Sequence, residues 1–278
     1  MTSTAFATLL DSAASAGTGV GAFNVVLLEH AEAIVRGAEE AGTPVILQIS
    51  ENCIAYHGGL APITLASLEL ANRASVDVLV HLDHIEDAAL IRAGVELGVD
   101  SVMFDASKLA YADNVNATRD IVSLCHDRGV AVEAELGEVG GKDGVHAPGA
   151  RTDPHEAAAF VEATGVDALA VAVGTSHAMT SRVASVDHDL VRALRTSVPV
   201  PLVLHGSSGL PDDELQAAVR SGMTKINIST HLNGLFTAAV RDVLSDQPDL
   251  VDPRKYVRAG RDAITAETAR ILRLLAEA

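Results

Sequence analysis

The sequence predicts an α/β fold closed into a (β/α)8 TIM barrel, and three observations carry that expectation. Short apolar, β-branched runs alternate with amphipathic stretches rich in Ala, Glu and Arg from Gly19 to about Asp246. The alternation completes eight rounds, which is the number that closes such a barrel. The runs are apolar on both faces, as in parallel strands covered by helices. An open doubly wound sheet is the competing topology.

In chain order the strand candidates are "GVGAFNV" (19–25), "PVILQIS" (44–50), "DVLVHLDH" (77–84), "SVMFDAS" (101–107), "VAVEAELG" (130–137), "ALAVAVG" (168–174), "PLVLHGSS" (201–208) and "TKINIST" (224–230). A helical pattern follows each. Capping signals open some of them, as in "DPHEA" at 153 and "PDDEL" at 211, and glycines close many, as at Gly42, Gly98, Gly129, Gly165 and Gly222. The stretch before Gly19 reads as an N-terminal capping helix, and 252–278 as a C-terminal helical extension. No linker or low-complexity tract divides the chain, so residues 1–278 are expected to form one barrel domain. The one long irregular stretch, "GEVGGKDGVHAPGARTDP" (137–154), is Gly-rich and follows the fifth strand; loops of that length inside a domain are usually functional.

Composition narrows the function. Hydrophobic residues make up 48% of the 278, enough for a large core, while the absence of Trp and an aromatic content of 3% suit closely packed helices on a sheet. A formal net charge of −17 argues against nucleic acid or an anionic membrane as partner, since both need clustered Lys and Arg. Cys53 and Cys125 are too few for a disulfide framework and lack metal-knuckle or CxxC spacing. The N-terminus has no basic, apolar leader pattern, and no apolar run approaches ~20 residues, so a soluble, cytoplasmic protein is expected.

Barrel enzymes carry their chemistry at the C-terminal ends of the strands. Here those ends hold Asn24, Gln48 and Ser50, Asp83 and His84, Asp105 and Ser107, Glu133 and Glu135, His177, His205, and Asn227, Ser229 and Thr230. A lone histidine there is usually a hydrogen-bonded, partly buried imidazole. Three of them, His84, His177 and His205, at equivalent ends suit a catalytic zinc that keeps positions open for water or substrate. His81 lies two residues before Asp83, on the same side but deeper, and reads as structural or supporting. Asp83 could exchange a proton with a substrate hydroxyl, or could simply orient a ligand imidazole. The loops "HGSSGL" (205–210) and "NIST" (227–230) follow strands seven and eight, the usual phosphate site of such barrels, although most Gly-Ser turns are only turns.

"HLDH", "SVMFDAS", "EAELGEVGG", "AVAVGTSHA", "LVLHGSSG", "KINIST" and "DPRKYVRAG" occur in the order and spacing of one family. The chain resembles the class II, metal-dependent ketose-bisphosphate aldolases of fructose- and tagatose-bisphosphate type, from "GAFNV" to "DPR". The resemblance implies zinc-dependent, reversible cleavage of a ketose 1,6-bisphosphate to dihydroxyacetone phosphate and an aldehyde such as glyceraldehyde 3-phosphate, a glycolytic type of chemistry. It also implies zinc ligation by His84, His177 and His205, and acid/base catalysis by Asp83. Asp105 and Glu135 match carboxylates able to hold a displaced metal. Gly206, Ser208, Asn227 and Thr230 match positions holding dihydroxyacetone phosphate, with Ser207 and Ser229 in the same loops. Asn24 and Ser50 match substrate-contacting positions, and Arg254 matches an arginine that reaches the far phosphate, commonly from a neighbouring subunit. A homodimer or homotetramer is therefore expected. Zn2+ or another divalent ion is the implied cofactor, with a monovalent cation as an optional companion.

The chemistry of the residues agrees with a metal route. Cleaving a carbon–carbon bond beside a ketone leaves negative charge that a divalent ion stabilises without a lysine Schiff base. Lys225 is the only lysine in a strand candidate. Two departures from the family pattern lie on the substrate side. Ala178 stands where many members have glycine after the ligand histidine, and Asp143, with His146 further on, stands in the long loop where a glutamate usually takes the carbon-bound proton. The expected alternative is thus the same scaffold acting on another phosphorylated keto-sugar or deoxy-keto acid. A metal-dependent barrel hydrolase is disfavoured because "GVGAFNV" lacks an HxH pair, and a non-catalytic sugar-phosphate binder because it would not require Asp83.

Overall fold

The computed structural model describes residues 4–136, 151–175, 182 and 184–278. The chain runs α1 (Ala5–Ala16), β1 (Val20–Asn24), α2 (Leu28–Ala41), β2 (Val45–Ser50), α3 (Glu51–Tyr56), α4 (Ala61–Arg73), β3 (Val78–Ile85), α5 (Ala88–Leu97), β4 (Ser101–Phe104), α6 (Tyr111–His126) and β5 (Ala131–Glu135). It continues α7 (Pro154–Thr164), β6 (Ala168–Ala170), α8 (His188–Ser197), β7 (Leu202–Leu204), α9 (Asp212–Ser221), β8 (Met223–Ile228), α10 (Thr230–Asp246) and α11 (Pro253–Ala276). Each strand pairs in parallel with the next, and β8 pairs with β1, so the sheet closes as a TIM barrel. All eight strand candidates are present in order. β4 and β7 stop before the polar tails of their runs, which belong to loops at the mouth, whereas β6 ends at Ala170 and leaves the buried Val171, Ala172 and Val173 beyond the strand.

Local chemistry explains most boundaries. Asp153 caps α7 by accepting from the backbone N–H of His155 and Glu156, with Pro154 following it in the first turn, as "DPHEA" predicts. "PDDEL" behaves differently: Pro211 occupies the cap without a side-chain bond, and Asp212 is engaged by arginines instead. Asp100 and Asp167, each just before a strand, accept the backbone N–H of Val80 and Val132 on the preceding strand. The two "GVD" segments thus fasten the bottom of the barrel in the same way at two places. α3 is an additional short helix, capped by Ser50 Oγ on Cys53 N.

The interior is layered. At the N-terminal end Val20, Ala22, Ile46, Leu79, Ala131, Ala168, Ala170 and Val203 form an apolar floor, and α1 closes it from below with Phe6 and Leu10, both fully buried. Above the floor lies a polar belt of Gln48, His81, Ser101, Glu133 and Lys225, all fully buried. The register that pairs Gln48 with His81, His81 with Ser101, and Val203 with Lys225 sets these side chains at related heights. Phe6 reaches up to stack on His81 with ring centroids 5.6 Å apart. The larger apolar core fills the space between barrel and helices.

α10, the helix of the eighth round, and α11, the C-terminal extension, have different tasks. α10 buries only Leu232, whereas α11 buries Ile264, Ala269, Ile271, Leu272 and Leu275 against the barrel. Leu275 O accepts from Gly19 N at 2.9 Å, and a Cβ on Gly21 would come within 2.8 Å of Leu272 Cδ2. α11 therefore sits close against the first strand, and glycine at 21 permits the approach. Among the described residues no helix is long and apolar enough to cross a membrane.

Candidate metal centre and substrate mouth

Asp83 and His84 adjoin in sequence, and in a regular strand they would point to opposite faces of the sheet. The pairing of β3 with β4 slips between Leu82 and Ile85, and His84 has φ 50, the one positive φ at a non-glycine among the described residues. The irregularity re-aims the strand end. Both side chains consequently line the same cavity of about 200 Å³ at the C-terminal mouth, together with Asn24, Gly206, Ser208, Asn227, Ser229 and Thr230.

One ligand atom from each of His84, Glu135 and His205 lies within 4.8 Å of the others. The His84 and His205 rings meet edge to face, centroids 4.7 Å apart. Each ring is held by a carboxylate through one nitrogen: His84 Nδ1 is 2.7 Å from Asp105 Oδ2, and His205 Nε2 is 3.0 Å from Glu133 Oε1. His205 Nδ1 faces Glu135 Oε2 at 3.5 Å. Two imidazoles and a carboxylate, with each imidazole oriented by a further carboxylate, form a donor set that suits a divalent ion such as zinc. The residues fit the metal. Asp105 takes the orienting position on His84 and lies outside that three-residue group.

Electrostatics bind the cluster together. Burial alone would raise the Asp83 carboxyl, but His84, Lys225, His81 and His205 outweigh it and hold the group below its ordinary value. Burial alone would lower His205, yet Glu133 and Glu135 raise it to about 10. His84 is raised despite its burial by Asp83 and Asp105. His81 behaves oppositely: burial, reinforced by the charge of Lys225, lowers it to about 3. These signs place negative charge on Asp83 beside a site built for a cation.

The remaining expected residues divide. Asn24 Nδ2 donates to Asp83 Oδ2 at 2.8 Å, tying the first strand end to the third. Gly206 has φ 70 and opens a short 3-10 turn at 207–209; Ser207 Oγ donates to Asn227 O, and Ser208 Oγ accepts from Ser229 N at 3.1 Å. The two loops are thus fastened to each other, with Thr230 beginning α10. Ser50 is the cap of α3 and is not among the cavity-lining residues. Arg254 is exposed on α11, bound to Asp252 at 2.9 Å, and is not among the cavity-lining residues. His177, Ala178, Asp143 and His146 lie outside the described residues.

Sequence reading passed over several supports. Lys225 Nζ lies 2.8 Å from Glu133 Oε2 in the belt beneath the mouth. Thr175 Oγ1 donates to His205 O at 2.6 Å, and Asn114 on α6 donates to the carbonyls of Glu135 and Leu136 at 3.1 and 3.3 Å. The spacing of Glu133 two residues before Glu135 was the available signal for the first of these, since it aims both carboxylates into the barrel.

Comparison with known proteins agrees with this arrangement. Residues 4–278 match the family described as Fructose-bisphosphate aldolase class-II. The chain is 39% identical over 262 residues to the fructose-bisphosphate aldolase of Geobacillus stearothermophilus, covering 93% of this chain and 91% of that protein. The crystal structure of the YdjI aldolase of Escherichia coli K12 superposes with a TM-score of 0.85 at 32% identity, covering 99% of this chain and 97% of that one. The fructose-bisphosphate aldolase of Campylobacter jejuni shares the fold, with a TM-score of 0.78 at 23% identity over 97% of this chain and 93% of its own. The chain belongs to the class II fructose-bisphosphate aldolase family, metal-dependent enzymes that make and break carbon–carbon bonds.

Proposed function

We propose that this enzyme catalyses the zinc-dependent, reversible aldol cleavage of a ketose 1,6-bisphosphate of the fructose or tagatose type, giving dihydroxyacetone phosphate and an aldehyde such as glyceraldehyde 3-phosphate. The observation that carries the proposal is the position of Asp83, buried and hydrogen-bonded to Asn24, at the cavity it shares with His84 and the phosphate-loop residues.

His84 and His205, with Glu135 beside them and His177 as the third family histidine, would hold the zinc, which when bound would supply Lewis-acid stabilisation of the charge that cleavage leaves on the ketose. Asp83, kept ionised by its histidine neighbours, takes the proton from the hydroxyl that becomes the aldehyde oxygen and returns it in condensation. Asn24 holds the carboxylate in place for that transfer. The glycine and hydroxyl-bearing loops at 206–208 and 227–230 receive the phosphate of the dihydroxyacetone half, with Thr230 opening a helix whose first N–H groups favour an anion. Ser50 is assigned to substrate contact, Asp143 to the proton on the dihydroxyacetone carbon, and Asp105 to orientation of His84. Arg254 is assigned to the far phosphate of a neighbouring subunit in a homodimer or homotetramer, which suits its exposure and its absence from the lining of its own cavity.

A second reading keeps the reaction and changes the sugar. Ala178 and Asp143, at positions where the family commonly has glycine and glutamate, favour a different phosphorylated ketose. Coupled cleavage assays with fructose 1,6-bisphosphate and tagatose 1,6-bisphosphate, before and after chelation and zinc restoration, decide between them. Chelator-sensitive turnover of either is the expected result. Zinc-loaded protein inert toward both would reject the first reading and move the search to other keto-sugar phosphates.

A further inference from the structure

The buried charges beneath the mouth have no assigned part in cleavage, yet they touch a metal ligand. Glu133 on β5 is fully buried; its Oε2 lies 2.8 Å from Lys225 Nζ on β8, and its Oε1 lies 3.0 Å from His205 Nε2 on β7. His81 approaches Glu133 only to 3.9 Å and gives its Nδ1 to Ser101 Oγ at 2.8 Å. Glu133 thus joins Lys225 to His205 across the barrel and is not consumed by His81.

An ionised carboxylate can only accept hydrogen bonds, so its contact requires the proton of His205 to sit on Nε2. The other nitrogen, Nδ1, then faces Glu135 and the metal cluster, and it is the one that would give up its proton to an ion. Thr175 already fixes the His205 backbone through the 2.6 Å bond to its carbonyl, so the torsion of the ring and the choice of tautomer are what remain to be set. A buried ammonium beside the second carboxylate oxygen keeps Glu133 from rotating away.

We propose that Glu133, anchored by Lys225, is a positioning residue of the metal centre: it locks His205 in the Nε2–H tautomer and presents Nδ1 to the ion. Lys225, the one lysine on a barrel strand, thereby acts through electrostatic anchoring with no covalent contact to substrate. The proposal rests on His205 being a metal ligand.

Glu133→Gln changes the message at almost constant shape. Beside Lys225 the amide turns its oxygen toward the ammonium and its NH2 toward His205 Nε2, which forces the imidazole proton onto Nδ1, the nitrogen meant for the ion. The test strips the full chain with a chelator and titrates zinc back in competition with a chromophoric chelator. Compared are the unaltered protein, His205→Ala, Glu133→Gln and the double variant Glu133→Leu/Lys225→Met. The double variant removes both charges, so neither is stranded if Glu133→Gln fails to fold. Zinc affinity is expected to fall roughly 10–100-fold in the folded Glu133 variants, with a displaced absorption band when cobalt replaces zinc. A folded variant that melts lower but binds zinc as tightly as the unaltered protein would overturn the proposal and leave the pair a purely structural one. If His205→Ala itself binds zinc undiminished, the ligand assignment fails and takes this proposal with it. If His205→Ala loses zinc while both Glu133 variants retain it, only the positioning role falls.

Discussion

Two neighbouring side chains, Asp83 and His84, reach one cavity because His84 adopts a left-handed backbone conformation that costs roughly 1–3 kcal/mol in a non-glycine residue. Strain is commonly found where geometry serves chemistry, and here it lets a carboxylate and an imidazole one peptide apart face the same cavity. Asp83→Ala should retain zinc and lose about 10²–10⁴-fold in cleavage rate, checked by metal analysis alongside steady-state kinetics; full activity in a zinc-replete variant would sink the role given to Asp83. His205→Ala should lose the metal. Borohydride added during turnover should leave the protein mass unchanged, because Lys225 is fully buried on Glu133; a trapped substrate adduct would reverse that view. Strand-end position alone brought the sequence reading to Asp83, His84 and His205. It could not reveal the slipped register at 82–85, which has no signature in "HLDHI", nor the bond of His205 to Glu133 across 72 residues of chain.

At the level of elements, the loop after β6 and helices α9, α10 and α11 are laced by alternating charges. Arg182 donates to Asp212 at 2.7 Å, Asp212 also receives Arg270 at 2.5 Å, Arg270 reaches Glu267 at 2.8 Å, and Glu267 meets His231 at 2.6 Å. Burial would raise Glu267, but Arg270 and His231 outweigh it and lower the group to about 2 from an ordinary 4.5. A depressed carboxylate contributes stability that is complete above its unfolded value and disappears as pH falls through its folded value. The urea midpoint should therefore drop between about pH 4.5 and pH 2, and Glu267→Gln should flatten that drop; parallel curves for the two proteins would refute the linkage. Element order was legible because eight apolar runs bounded by Gly and Asp leave few alternatives. α3 was not, since six residues are too few to display a helical period. The role of Asp212 was hidden as well, because "PDDEL" reads as a cap until Arg182 and Arg270 are brought to it by tertiary structure.

Taken whole, the barrel interior passes from an oily floor through a belt of buried charge to an open polar mouth, and α1 holds the floor closed. Phe6→Ala should destabilise the fold by about 3–5 kcal/mol, the usual cost of emptying a buried aromatic site, measurable as a lower urea midpoint; a change within a few tenths would mean that α1 is dispensable. Of this gradient only the polar mouth was legible in the sequence, as the polar residues at the C-terminal ends of the strands, with His81 set deeper. The identity of the closing helix was less so, because α10 follows β8 directly while α11 does the packing. Since α11 lies against β1 through Gly21 and bonds to Gly19, a strand made early receives its cover from a helix made after the rest of the barrel. A nascent chain arrested before Pro253 would carry the apolar flank of β1 and α2 uncovered for the whole of synthesis, the natural place for a chaperone to hold it.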